Sequence, residues 1–332
     1  MTAEKQSEYQ RAVPVAGGIF AVTFWEDDSA KAEMTIDALT EEMHEIDLKV
    51  NAERSDSETN FIHRHGGEAP IVLSDTVFAF FASVVGFCKT THGLFDVSMG
   101  PLVSLWGFDQ PIRGEKKNIP STPEIEKAKK RVGCQKIKLD NEKKSIELEK
   151  NMSLDLRFIQ HAFALDQAAK VLKEYNIHSA KMTLGEMTYF VGQPAVGSAW
   201  VHEVKNPQEP SEKVAKFEVA SGAIATLSES VRYFVSDDKR YSDILDPRTG
   251  WPAKGVSLVS VWSTTALESA VWAQALFVAG EENGPLLIKP DKKLAGLWLK
   301  SSNKGSVQPQ DMRIVEVPNV KITSLLPENK QP

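Results

Sequence analysis

The sequence predicts a mixed α+β fold with a mostly antiparallel sheet and packed helices. Helical and strand periodicities alternate irregularly along the 332 residues, without the regular βαβ succession of a doubly wound sheet. Several strand candidates also lie close enough together to form hairpins. No internal repeat is present, and the most linker-like stretch is Asn206 to Lys213. A single domain over residues 16–320 is therefore expected between polar tails at 1–15 and 321–332.

The first strand is expected over Ile19 to Trp25, where β-branched and aromatic residues follow Gly17 and Gly18 and acidic Glu26 to Asp28 end the run. From Ser29 as N-cap, apolar residues fall at Ala32, Ile36, Leu39, Met43, Ile46 and Val50, in the alternating steps of four and three of an amphipathic helix. Asn51 to Asn60 reads as a polar loop and Ile71 to Lys89 as a largely buried helix. Gly93 to Pro111, rich in breakers and carrying Trp106 and Phe108, reads as a site loop or a packed turn.

Thr122 to Gly133 reads as a short basic helix. Lys136 to Leu139 and Ser145 to Leu148 form a hairpin around Asp140-Asn141, and Phe163 to Tyr175 is a long helix. Strands are expected at Ala180 to Leu184, Tyr189 to Val191, Lys216 to Val219, Ala223 to Thr226, Tyr241 to Leu245 and Val256 to Ser263. The last alternates, with Val256, Leu258, Ser260 and Trp262 on one face and Ser257, Val259 and Val261 on the other. Ala266 to Gly280 is a helix ended by glycine, and Leu294 to Leu299 and Ile314 to Val317 are late strands.

Composition narrows the function. Net charge is −6, with Lys and Arg dispersed along the chain, so the attraction that drives nucleic-acid binding is missing and no nucleic-acid partner is expected. The longest apolar runs, such as Val77 to Cys88, fall short of the roughly 20 residues that span a bilayer. Cys88 and Cys134 stand in unrelated contexts without a metal-ligand spacing, so neither a disulfide nor a structural zinc site is expected. Met1 to Arg11 is polar and carries no signal peptide. A cytoplasmic location is expected as written, or a periplasmic or cell-surface one if Met1 replaces a removed signal peptide.

Two segments carry a resemblance. His92-Gly-Leu-Phe-Asp-Val-Ser-Met-Gly-Pro-Leu-Val-Ser-Leu-Trp-Gly-Phe108 resembles a GxFDxTxGPLxxLWGF signature, and Tyr241-Ser-Asp-Ile-Leu-Asp-Pro-Arg-Thr-Gly250 resembles YSHIIDPxTGxP. Both belong to the ApbE-like FAD:protein FMN transferases. Weaker echoes lie at Asp56-Ser57-Glu58, Lys130 to Gly133, Leu154-Asp155-Leu156 and Leu276 to Gly280. The resemblance implies a T-fold-related core whose two subregions flank a cleft that holds FAD. It also implies magnesium-dependent transfer of FMN onto a Ser or Thr of an acceptor protein, with flavin contacts at Leu94, Phe95, Asp96, Asp155, Arg157, His161, Ile244 and Asp246.

Breaking the FAD pyrophosphate requires charge to be neutralised on phosphate oxygens, by metal or by Lys and Arg. The family helix resembling ADALATALFVxG places an Asp and a Thr four residues apart on one side. Counting back from Gly280, this chain has Ala270 and Gln274 there. Glu268 is two residues away and roughly 200° around the helix. The family's GGIAKG loop is replaced by Arg157-Phe158-Ile159-Gln160-His161-Ala162, which removes all three glycines and puts His161 at the lysine position.

The family histidine of SHI is Asp243, TSGDY is Thr226 to Ser230, GGD is Leu184-Gly-Glu186, MGT is Ala16-Gly-Gly18, and Glu53 replaces an aromatic. His63 and His65 lie in a stretch read as a solvated polar loop.

Three readings follow. The first is a non-catalytic family member, kept as a scaffold for a protein partner. The second is a protein that binds FAD without transferring FMN. The third is an active magnesium-dependent transferase using relocated ligands such as Arg157 and Glu268. FAD is thus a candidate ligand and magnesium is not expected.

Overall fold

The structure, a computed structural model, describes residues 7–288, 294–301 and 307–327. The first departure from expectation comes at once: β1 (Ser7–Val15) pairs antiparallel with β2 (Gly18–Glu26), from Ser7 opposite Glu26 to Val15 opposite Gly18. Only Tyr9, Val13 and Val15 of β1 turn inward, so the strand carries too little apolar alternation to be read as one. Residues 1–6 of the expected tail lie outside the described residues. At the other end, β17 (Val320–Ser324) takes residues from the expected tail at 321–332, of which 328–332 are outside the described residues.

Helix α1 (Ser29–Val50) has the expected length, but its cap is Asp28, whose carboxylate accepts from the amides of Ala30 and Lys31. α2 (Glu58–His65), capped by Ser57, forms in the stretch read as loop, so His63 and His65 lie in its last turn. β3 (Ile71–Val72) precedes α3 (Asp75–Thr90), and α4 (Gly100–Trp106) stands inside the breaker-rich stretch, with Pro101 in its first turn and left-handed Gly107 closing it. β4 (Arg113–Lys116), α5 (Thr122–Lys129) and the hairpin of β5 (Lys138–Asp140) and β6 (Ser145–Glu147) lead to α6 (Ile159–Glu174).

The chain continues through β7 (Ala180–Leu184), β8 (Met187–Val191), β9 (Trp200–Lys205), β10 (Lys213–Val219), β11 (Gly222–Ser228), β12 (Tyr233–Ser236), β13 (Lys239–Ser242) and β14 (Val256–Ser263). It then forms α7 (Ala266–Leu287), β15 (Ala295–Lys300) and β16 (Met312–Val315). The helical path of α7 breaks at Gly280 (φ 83°, ψ 172°), where the sequence places its end. The stretch read as a linker instead closes the β9–β10 hairpin: buried Asn206 donates from Nδ2 to Glu212 Oε2 at 2.6 Å and from its amide to the Glu212 carbonyl at 2.8 Å.

The main sheet has eight strands in the order β1-β2-β7-β8-β11-β14-β15-β16, every pair antiparallel. α1, α6 and α7 pack on one face, and the small antiparallel sheet β17-β10-β9 packs on the other. This double cover explains why all eight residues of β14 are buried.

Val259 and Val261 of β14 join the helix-side core, and Leu258 and Trp262 the core shared with the small sheet. Val256 departs from the expected alternation and joins the helix side, because the pairing with β15 shifts register between Val256 and Leu258. A third core of Trp106, Phe108, Ile125, Phe234, Tyr241 and Leu245 ties α4 and α5 to β12 and β13.

The cysteines overturn expectation: Cys88 and Cys134 form a disulfide with a Cα separation of 6.3 Å. Their contexts are unrelated in sequence, but Asp96 accepts from the Cys134 and Ser98 amides, and the Ser98 hydroxyl accepts from the Gly133 amide, which folds the two segments together. Among the described residues no helix is long and apolar enough to cross a membrane.

Candidate functional site

At one end of the main sheet, the β7–β8 turn, the end of β11, the start of α6 and the chain beyond β13 enclose a cavity of about 230 Å³. Its lining includes Asp155, Arg157, Phe158, His161, Glu186, Arg232, Asp243, Ile244 and Gln274.

Arg157 is the centre of its electrostatics. The guanidinium grips Asp155 with both prongs, Nε to Oδ1 at 2.8 Å and Nη2 to Oδ2 at 2.9 Å. Its Nη1 donates to the Phe108 carbonyl at 2.8 Å and to Asp243 Oδ2 at 3.3 Å. Arg232 donates to the same Phe108 carbonyl at 2.9 Å and approaches Asp243 to 3.9 Å. Two cations and two carboxylates thus neutralise one another around a loop carbonyl.

The titration directions agree. Burial works to raise Asp155, but the charge and hydrogen bonds of Arg157 hold its carboxyl below the usual range. At Asp243 burial outweighs Arg157 and Arg232, and the carboxyl is pushed up.

His161 has a different task. Its Nε2 lies 2.8 Å from the Ala16 carbonyl, which can only accept, so Nε2 carries the proton and Nδ1 is left as an acceptor. Burial lowers its pKa and keeps the ring neutral. The ring occupies space beside two glycines: a Cβ on Gly185 would stand 2.8 Å from Nδ1, and one on Gly18 would stand 3.4 Å from Nε2. Gln160 points away from the cavity, donating to Ala16 O and accepting from the Ala52 amide, each at 3.2 Å.

The expected ligand helix carries no carboxylate at either counted position. Ala270 is fully buried in the apolar core, and Gln274 lines the cavity with an amide. Magnesium takes hard oxygen ligands, usually with one or two carboxylates. Of the carboxylates here, Asp155 has both oxygens on Arg157 and Asp243 faces two guanidiniums, while Glu186 is exposed. Glu268 lies outside the cavity lining and accepts from the Ser263 hydroxyl. Among the described residues the one cluster of three candidate metal ligands is Cys88, Asp96 and Cys134, where the two sulfurs are bonded to each other. Two of the three cavity carboxylates are thus already committed to guanidiniums.

The sequence profile of the ApbE family matches residues 17–298. The chain belongs to the ApbE family. It is 25% identical over 296 residues to an FAD:protein FMN transferase of Haemophilus influenzae, covering 86% of this chain and 85% of the relative. The corresponding protein of Vibrio cholerae is 27% identical over 259 residues, covering 77% and 76%. Among solved structures, the ApbE protein of Thermotoga maritima superposes with a TM-score of 0.78 at 26% identity, covering 89% of this chain and 94% of that one. The apo form of Pseudomonas stutzeri flavinyl transferase ApbE also gives 0.78, at 22% identity and with 96% and 97% covered, which is a likeness of fold.

Asp155, Arg157, His161, Asp243, Ile244 and Gln274, each picked out by its place in a family motif, meet at this one cavity. Leu94, Phe95, Asp96 and Asp246 do not line it. Leu94 and Phe95 are packed in the helix-side core. Asp96 holds the turn beside the disulfide, and Asp246 grips Arg248 at 2.9 Å within its own turn. Arg232 escaped the sequence reading. Its signal was the β12–β13 hairpin around Asp237-Asp238, in which Tyr233 pairs with Ser242 and so places Arg232 opposite Asp243.

Proposed function

We propose that this chain is a non-catalytic member of the ApbE family, in which the flavin cleft has been rebuilt as a self-neutralising arginine–carboxylate network. The observation that carries the reading is Arg157, which stands where the family has a phosphate-approaching glycine and spends its donors on Asp155, Asp243 and Phe108. A guanidinium so engaged has little left for a pyrophosphate. The volume agrees: about 230 Å³ falls below the roughly 300–1,000 Å³ usual for small-molecule sites, and FAD is a large ligand. The retained scaffold then serves a protein partner. The disulfide favours an oxidising compartment over the cytoplasm for this work.

Calorimetric titration with FAD, with and without magnesium, tests this alongside an FMN-transfer assay on an acceptor protein with a working relative as positive control. The expected result is no saturable heat and no covalent flavin. FAD binding without transfer would move the reading to a flavin-binding protein. A magnesium-dependent flavin adduct on the acceptor would overturn both and restore an active transferase with relocated ligands.

A further inference from the structure

A second cavity, of about 890 Å³, lies at the opposite end of the main sheet from the cleft. The cleft gathers at the β7–β8 turn and the Ser228 end of β11, whereas this cavity is framed by the last residues of β8, the Gly222 end of β11 and the end of β14. The C-terminus of α6 and the β16–β17 turn complete it. The length of β11, roughly 20 Å for a strand of that size, separates the two. The volume falls within the range of sites that bury a small organic molecule.

The frame is built closely. Gly222 has φ +103°, and a Cβ there would stand 2.6 Å from the Ser263 carbonyl. Gly192 has φ +58°, and a Cβ there would stand 2.0 Å from the His178 carbonyl. Two polar groups of the wall are satisfied within it: Trp262 Nε1 donates to Ser221 O at 2.9 Å, and the Tyr189 hydroxyl donates to Thr264 O at 3.1 Å. What the wall offers a ligand is therefore mainly apolar, from Ile177, Tyr189, Val191, Trp262 and Val317.

Charge is supplied from one side. Lys173, exposed in the last turn of α6, is the one Lys or Arg among the described residues of the lining, which also holds His178, and it forms no ion pair among the described residues. Among the described residues no carboxylate lines the cavity. The acid of the adjoining groove, Asp166, is held by the amides of Ala266 and Leu267 at 2.7 and 3.0 Å. Glu316, beside Val317, accepts from the Ile322 amide at 2.6 Å. An apolar wall with an unpaired ammonium at its rim complements a ligand with an apolar body and one anionic head. We infer that this cavity is a binding site for an amphipathic organic monoanion, separate from the flavin cleft.

The probe is 8-anilinonaphthalene-1-sulfonate, an aromatic body with a single anionic group, titrated by fluorescence into the native full chain. Saturable binding of one equivalent is expected, displaced by decanoate and not by decanol at the same concentration. Lys173→Gln should weaken it about tenfold, the scale of one charge-assisted contact, and Lys173→Arg should restore it. Ser221→Trp, which leaves the backbone bond to Trp262 in place, should plug the mouth and abolish it.

Saturating FAD should not displace the probe, so the outcome is independent of whether flavin binds at the cleft. No saturable binding, displacement by FAD, equal competition by decanol, or a surface variant Lys173→Gln indistinguishable from the parent would each overturn the assignment.

Discussion

Arg157 is a residue whose value lies in what it prevents. Without it Asp155 and Asp243, each with roughly four-fifths of its side chain covered, would face each other beside a buried carbonyl with only Arg232 nearby. Removing one partner of a buried ion pair costs about 3–5 kcal/mol, and residual exposure puts Arg157→Met near the lower end. Arg232, more exposed and making a single hydrogen bond, should cost about 1 kcal/mol or less when changed to Met. Urea unfolding of the two variants at neutral pH checks the ranking; equal losses would mean that the network is not centred on Arg157.

Arg157 and His161 were picked out by counting from Leu154-Asp155-Leu156, and both line the cavity. Their hydrogen-bond partners were not legible. Phe108 and Asp243 lie 49 and 86 residues away from Arg157, and only the tertiary fold brings them together.

Elements were readable where an apolar period ran long, as in α1 and β14, and where glycine marked an end, as at Gly280 of α7. They were missed where a strand is mostly solvated: β4 is exposed at all four positions and β1 turns only three side chains inward. A different device holds the start of α7. Asp166, from α6, accepts from its first two amides, Ala266 and Leu267, and favours the positive end of the helix dipole.

Burial nonetheless pushes the Asp166 carboxyl up to about 6, above the ordinary 3.8. A raised carboxyl binds its proton more tightly in the native state, so between about pH 4 and 6 this group lowers stability as pH rises. Below that pKa the carboxyl is as neutral as an amide, so Asp166→Asn should match the parent within about 1 kcal/mol at low pH, and it removes the titration. The variant should therefore gain stability relative to the parent from pH 4 to pH 7. Thermal melts across that range measure it, and a variant that loses ground to the parent as pH rises would show that the two amides, not burial, govern the carboxyl.

Over the whole molecule, the eight-stranded sheet holds two cavities at opposite ends, and one covalent link braces the side on which the cleft lies. Cys88–Cys134 joins the last turn of α3 to the segment beyond α5. It also lies against Asp96 and Ser98, whose neighbour Val97 accepts from the Asp155 amide at 2.7 Å. The link thus bears on the backbone that presents Asp155 to Arg157.

With the cysteines 46 positions apart, the chain-entropy relation gives about 4 kcal/mol of stabilisation from restricting the unfolded chain. Cys88→Ser/Cys134→Ser should lower the guanidinium midpoint accordingly, and reduction of the parent should bring it to the same midpoint, because both treatments remove the same constraint. Alkylation after unfolding without reductant should find no free thiol in the parent. Two free thiols, or a midpoint unchanged by reductant, would show that the cysteines are not joined, and the argument for an oxidising compartment would fall with the bond.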